Sequence, residues 1–165
     1  MPFDMHLKFG SGGVTITGDS VHQKHTNQIP ILSWSWDITN RGDLHANATS
    51  GGKADVGDLR IVKYVDTASN AILEACCTGA RSQNAYIYVT NTTKEPTDFL
   101  TVELSEGVIV TAVSNSANLG GDRLTETIWL HFGKFSYQYQ PQDENGAPKG
   151  GIKQFAYDIK KAVKA

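Results

Sequence analysis

From residue 32 to residue 38 apolar and polar side chains alternate without a break, with Leu32, Trp34, Trp36 and Ile38 on one side and Ser33, Ser35 and Asp37 on the other. Only an extended strand, whose side chains point to opposite faces with a period of two, gathers all four apolar groups on one face. The same period returns in Phe135, Tyr137 and Tyr139 against Ser136, Gln138 and Gln140, and in Ile128, Leu130 and Phe132 against Trp129 and His131. Residues 59–64, 85–89, 99–104 and 108–113 are dense in β-branched side chains and read as strands covered on both faces. Together these predict roughly eight to ten strands. So many strands leave adhesive edges unless the sheet curls upon itself. The expected fold is therefore mainly β, a closed or nearly closed antiparallel β-barrel.

The period changes once. Ala68, Ala71, Ile72, Ala75 and Cys76 fall at i, i+3, i+4, i+7 and i+8, which predicts one flanking α-helix over about 66–79. Asp66 or Thr67 offers a capping oxygen at its start, and Gly79 can take the left-handed conformation at its end. A helix this short does not persist alone in water, so its small-residue face must pack on the sheet. With 165 residues and no internal repeat, a single domain spanning 1–165 is expected. Loops rich in Gly and Asn fall at 10–13, 41–53, 114–122 and 145–151. The second is long enough to be functional rather than a mere connection. Its glycines make it an extended arm.

Several classes of function lack the residues they need. Fifteen Lys and Arg against seventeen Asp and Glu give a formal charge of -2, so no positive field draws in nucleic acid. The lysines at 149, 153, 160, 161 and 164 read as a solvated tail diluted by nearby acids. No apolar stretch reaches the roughly 20 residues of a membrane helix, and Asp4, His6 and Lys8 interrupt the start where a secretory signal would be apolar. Soluble synthesis in the cytoplasm is expected. The adjacent Cys76 and Cys77 are poorly placed to bond each other. Cys76 lies on the apolar stripe and reads as packing, not as a nucleophile.

Gly51-Gly52-Lys53-Ala54 fails as a phosphate loop because Ala54 stands where Ser or Thr is required. His22 and His25, three apart in a polar connector, could meet a metal only if carboxylate or cysteine ligands converge from other segments, so they and His6, His45 and His131 read as surface histidines. Glu74, Asp98, Glu103 and Glu106 show no spacing that pairs two acids across a cleft. Trp34 and Trp36 read as core, whereas Trp129, opposite Ile128 and Leu130, is a candidate subunit contact. No catalytic, cofactor or metal site is expected, and the chain reads as a structural subunit. A small-ligand or carbohydrate-binding β-barrel that uses the tryptophans is the alternative from another class.

Asp122-Arg123-Leu124-Thr125-Glu126, a strand, and then Tyr139-Gln140-Pro141-Gln142 resemble the C-terminal half of the Hcp family, the haemolysin-coregulated tube proteins of type VI secretion. Ile31-Leu32-Ser33-Trp34-Ser35-Trp36 and Lys63-Tyr64-Val65-Asp66 before the Ala-rich helix resemble the family in the same order, over nearly the whole chain. Asp19 stands where the family tends to show Glu, and Tyr157 where Trp is common. The resemblance implies hexameric rings stacked into a hollow inner tube, with the spike, sheath and baseplate of the apparatus and small effector proteins as partners. It also implies release through that apparatus without a signal peptide, from a cytoplasmic assembly, and a plain tube subunit with no fused toxin after Ala165. A phage-type tail tube subunit shares this architecture.

Rings require one patch on each copy to meet a different patch on its neighbour. The arm at 41–53, with Arg41, Asp43 and Lys53, is expected to reach the adjoining ring. Asp122 and Arg123 read either as an exposed turn or as an intersubunit ion pair, beside Trp129. Ser114, Asn115 and Ser116 read either as loop or as polar groups facing an effector in the lumen.

Overall fold

The computed structural model describes residues 2–42 and 52–165. Twelve strands and one helix follow one another: β1 Phe3–Phe9, β2 Ile29–Pro30, β3 Ser33–Ser35, β4 Ile38–Asn40, β5 Ala54–Val56, β6 Leu59–Tyr64, α1 Ser69–Thr78, β7 Arg81–Ser82, β8 Ala85–Asn91, β9 Asp98–Ser116, β10 Thr125–Tyr139, β11 Lys153–Asp158 and β12 Val163–Lys164. Every pairing is antiparallel. The fold is mainly β with one helix, as the alternation requires.

The longest strands, β9 and β10, pair along their whole length, from Thr125 opposite Ser116 to Tyr139 opposite Leu100. Each continues through a point where the sequence reads as two separate strands. The ladder slips at Trp129/Leu130 and again at Phe132/Lys134, and such bulges bend a sheet. At the second slip Glu106 and Gly107 both take positive φ. A Cβ on Gly133 would lie 2.9 Å from that of Glu106, so glycine is needed for the bend. The bent hairpin serves two half-sheets: its turn-proximal half carries β6 and β3, and its other half carries β11 on one side and β8, β1 and β2 on the other. Leu59, Ile61, Ile87, Val102, Leu104, Ile128 and Leu130 from both halves are fully buried in one core.

The helix presents Ile72 and Ala75 to that core and ends at Gly79, φ 68°, whose N–H reaches Ala75 O. Its start differs from expectation. Ala68 is the capping residue and supplies no side-chain bond, while Asp66 Oδ1 accepts the Ala68 N–H at 2.9 Å just before the first turn. What pins this end is a buried ammonium. Lys63 Nζ donates to Glu126 Oε1 at 2.6 Å, to Asp66 Oδ1 at 2.8 Å and to Tyr64 O at 2.8 Å, and Ser69 Oγ donates to the same Glu126 oxygen at 2.7 Å. Lys63 and Glu126 are cross-strand partners of β6 and β10 and lie among the most buried side chains. Thr67 hydrogen-bonds to Asp19, tying the connector before β2 to the same turn.

Two further expectations are corrected. The lysine-rich end is not a solvated tail, because β11 pairs with β10 and with β12, although its lysine side chains remain in water. His6 and His25 are not surface histidines: they are 4% and 3% exposed and stack at 4.9 Å, with His22 at 5.1 and 5.4 Å from them. Their partners come from several elements. Ser20 Oγ lies 3.0 Å from His6 Nε2, while His25 Nε2 lies 2.8 Å from Asp98 Oδ1 and 3.0 Å from Thr90 Oγ1. Tyr88 stacks on His25 with its hydroxyl pushed up to about 12 by burial, and Lys24 and Asp4 sit at the rim. This stack fastens the connector between β1 and β2, which has little regular structure of its own.

Burial, with the neighbouring His25 and His22, lowers His6 to about 4 from 6.5 in a free chain. Above pH 6.5 His6 is neutral folded or unfolded; below it the unfolded chain binds a proton that the folded one refuses until about pH 4, so stability falls through that window. The decline is expected to reach about 1.4 kcal/mol per pH unit, and His6→Gln should flatten it in denaturant titrations; equal slopes in both proteins would refute the assignment. Lys63→Met strands two carboxylates and should cost about 3–5 kcal/mol in the same titrations, and a loss under about 1 kcal/mol would show that the ammonium is not the anchor.

Candidate assembly surfaces

Three surface features stand out once the core is accounted for. The first is the arm. Beyond Asp37 and Gly57, which are joined by a 3.0 Å backbone bond, the chain leaves the sheet as the two-stranded ribbon β4–β5, paired from Ile38 opposite Val56 to Asn40 opposite Ala54. Trp36 closes its root: its Nε1 donates to Gly57 O at 3.0 Å and its ring packs edge-on against Phe132 and Phe135. The alternation at 32–38 is thus divided between core and arm. Trp34 and Trp36 are half-buried against the core, whereas Leu32 and Ile38 are exposed, a correction to the single inward face. Arg41 and Lys53 stand exposed on the outgoing and returning chain of the arm. Asp43 lies outside the described residues.

The second feature is a cleft of about 300 Å³ between the start of α1 and the tip of the β9–β10 hairpin, walled by Asn70 and Leu73 on one side and Asn115, Ser116 and Leu124 on the other. Glu126 lines it. Lys63 and Ser69 satisfy Oε1, but Oε2 is buried and has no hydrogen-bond partner among the described residues. One ammonium therefore faces the two carboxylates of Glu126 and Asp66. Both features flank one strand. The arm leaves at the Leu59 end of β6, and the cleft opens at the Tyr64 end, where Val65 N–H bonds Leu124 O at 3.0 Å. A strand of this length separates its ends by roughly 17–20 Å.

The third feature is aromatic. In the β10–β11 register Phe135 faces Tyr157 and Tyr137 faces Phe155, so these four rings share the core side of the sheet. Phe135 is buried, but the sheet overhangs the core there, and Tyr137, Tyr139 and Phe155 are exposed, as is Ile152 before the strand. The alternation predicts the shared face correctly but not that its end is uncovered.

The residues singled out from the sequence are distributed among these features. Trp129 is half-buried on the outer face of β10, opposite Arg60 in register, with the guanidinium 6.0 Å from its ring. Arg123 lies 3.9 Å over the Tyr64 ring of its own chain, and exposed Asp122 forms no ion pair with it among the described residues. Residues 114–116 are the end of β9 and not loop, and strand alternation splits them. Asn115 pairs with Glu126 and belongs to the cleft side, while Ser114 and Ser116 pair with Thr127 and Thr125 on the outer face with Trp129. Lys63 and Glu126 were missed, although each sits on the inward parity of its strand, with Leu59 and Ile61 or Ile128 and Leu130. A charge at such a position is the available signal.

Cys76 is half-buried, Cys77 is exposed, and both are free thiols. Among the described residues no group of His, Cys, Asp and Glu is arranged to hold a metal, and no helix is long and apolar enough to cross a membrane.

Comparison with known proteins agrees with this arrangement. Residues 6–139 match the family described as type VI secretion system effector, Hcp. The chain is 33% identical over 167 residues to Protein hcp1 of Pseudomonas aeruginosa, covering 100% of both chains. Among solved structures, one of a type six secretion system protein superposes with a TM-score of 0.89 at 25% identity, covering 99% of this chain and 100% of the other. Hcp1 from Salmonella typhimurium gives 0.81 at 28% identity over 100% of both chains. A type VI secretion system effector from Yersinia pestis gives 0.74 at 28%, over 94% of this chain and all of its own. A match across four-fifths of the sequence, with a full-length relative, places the chain in the Hcp family of type VI secretion tube proteins.

Proposed function

We propose that this chain works by self-association: copies close into hexameric rings, the rings stack into the hollow inner tube, and the assembled protein is released through the secretion apparatus with its spike, sheath and baseplate as partners. The observation that carries this reading, beside the family match, is the pairing of unlike surfaces on one subunit. An aromatic overhang lies at the β11 edge, and an arm projects from one end of β6. Surfaces of that kind favour heterologous contacts, which build rings when the rotation closes and columns when it does not. Exposed rings at an interface centre commonly dominate its energy. Asp122, Arg123 and Trp129 belong to the outer contacts in this reading, and Arg41, Asp43 and Lys53 to the contact between rings. Ser114 and Ser116 offer hydroxyls to small effectors passing through the lumen, with Asn115 turned toward the cleft. Chemistry plays no part in it.

Mass measurement in solution tests the ring directly: particles about six times the 17.9 kDa chain are expected, and a lasting monomer at high concentration would end the proposal. Phe155→Asp should keep the fold and shift the mass toward single chains, since its ring is 47% exposed and outside the buried core. Unchanged rings would remove the overhang from the interface. Deleting residues 43–51 should leave rings intact and abolish tubes in electron micrographs, and tubes of normal length would refute the role of the arm.

A further inference from the structure

We propose that the cleft between α1 and the β9–β10 tip is the receptor for the arm of a second copy, which lays its basic side chains over the Glu126–Asp66 pair and donates an N–H to Glu126 Oε2. The inference rests on the stacking reading above and adds to it the site that receives the arm.

Three observations converge on this cleft. Glu126 lines it, and the Oε2 of this residue is buried with no hydrogen-bond partner among the described residues. Leaving such a group unpaired costs more than an ordinary hydrogen bond returns, so an incoming donor gains the whole of that deficit. The charge is unbalanced in the matching sense, with Lys63 alone facing Glu126 and Asp66, whereas residues 41–53 of the arm carry Arg41, His45 and Lys53 against Asp43, with Asp55 behind them at its root. Leu73 and Leu124 give the cleft apolar walls against which the stems of long basic side chains can pack.

Position supplies a fourth argument. Arm and cleft lie at opposite ends of β6, so a copy displaced along that strand brings its arm to the cleft of the next. A contact made by translation does not close on itself and repeats as an open column. The ring contacts then remain free to use the aromatic overhang at a different edge.

Blocking each half of the contact separately tests it. Asn70→Trp fills the cleft from the helix side without touching the buried ion cluster, and Asn115→Trp fills it from the hairpin side in case the first variant folds poorly. Arg41→Glu with Lys53→Glu reverses the arm. Each protein alone should give single rings and lose tubes in electron micrographs. An equal mixture of arm-reversed and cleft-filled rings should form double rings and nothing longer, because only one arm face and one cleft face remain competent. Tubes that survive both cleft-filling variants, or a mixture that stays as single rings, would overturn the cleft assignment while leaving stacking itself intact. Parent rings that never stack at any concentration would overturn both, and a monomeric parent would show that the ring reading had failed first.

Discussion

The pairing of β9 with β10 is the constraint on which the other elements depend. Each of the two strands spans the whole domain, and every remaining strand of the main sheet is reached from one of them, directly or through a single neighbour or two. The bulges at Trp129/Leu130 and at Gly133 bend this ladder, and the bend lets one hairpin supply strands to two half-sheets that share a core. A straight hairpin would leave Ile61 and Ile87 on separate surfaces, where both are now fully buried. Long non-local ladders of this kind pay their chain-closure entropy before most of the burial is realised.

Two buried polar clusters complete what the apolar core leaves undone. At the β6 end, the Lys63 ammonium draws together β6, β10 and the turn into α1, so that a short helix without a side-chain cap is held by a charge instead. Near β1, the histidine stack gives the connector at 10–28 the packing partners that its sequence lacks. Buried ion pairs contribute little net stability compared with apolar packing, but breaking one strands a charge. Such clusters therefore act as registers, permitting one placement of the helix and one path for the connector.

The same economy shapes the surface. A subunit that must meet copies of itself needs faces that are unlike one another, and it must keep them apart on a rigid frame. Here the frame is β6 and the bent hairpin: the arm root, sealed by Trp36, lies at one end, the Glu126 cleft at the other, and the aromatic overhang along the β11 edge. The partial satisfaction of Glu126 couples the interior to that surface, since one of its oxygens holds the helix, the other is buried without a partner among the described residues, and the residue lines the cleft.

What depends on near neighbours along the chain was legible in the residue order. Alternation and β-branched density marked β3, β4, β6, β8, β9 and β10, the i, i+3, i+4 stripe marked the helix and Gly79 its end, and short ordered segments marked the family. The other strands escaped, β2, β5, β7 and β12 because two or three residues show no period, and β1 and β11 because their polar interruptions looked like the ends of the chain. Which residues of each pattern are covered, and by what, was settled by the contacts that the folded chain brings together. Leu32 and Ile38 share a period with Trp34 and Trp36, yet they emerge into water because the strand divides at the arm root. Lys63 finds its carboxylate 63 residues away, and His25 finds Asp98 at a separation of 73. Periodicity is a local property and is written in the sequence, whereas the burial of a charge is set by the partner that the fold brings to it.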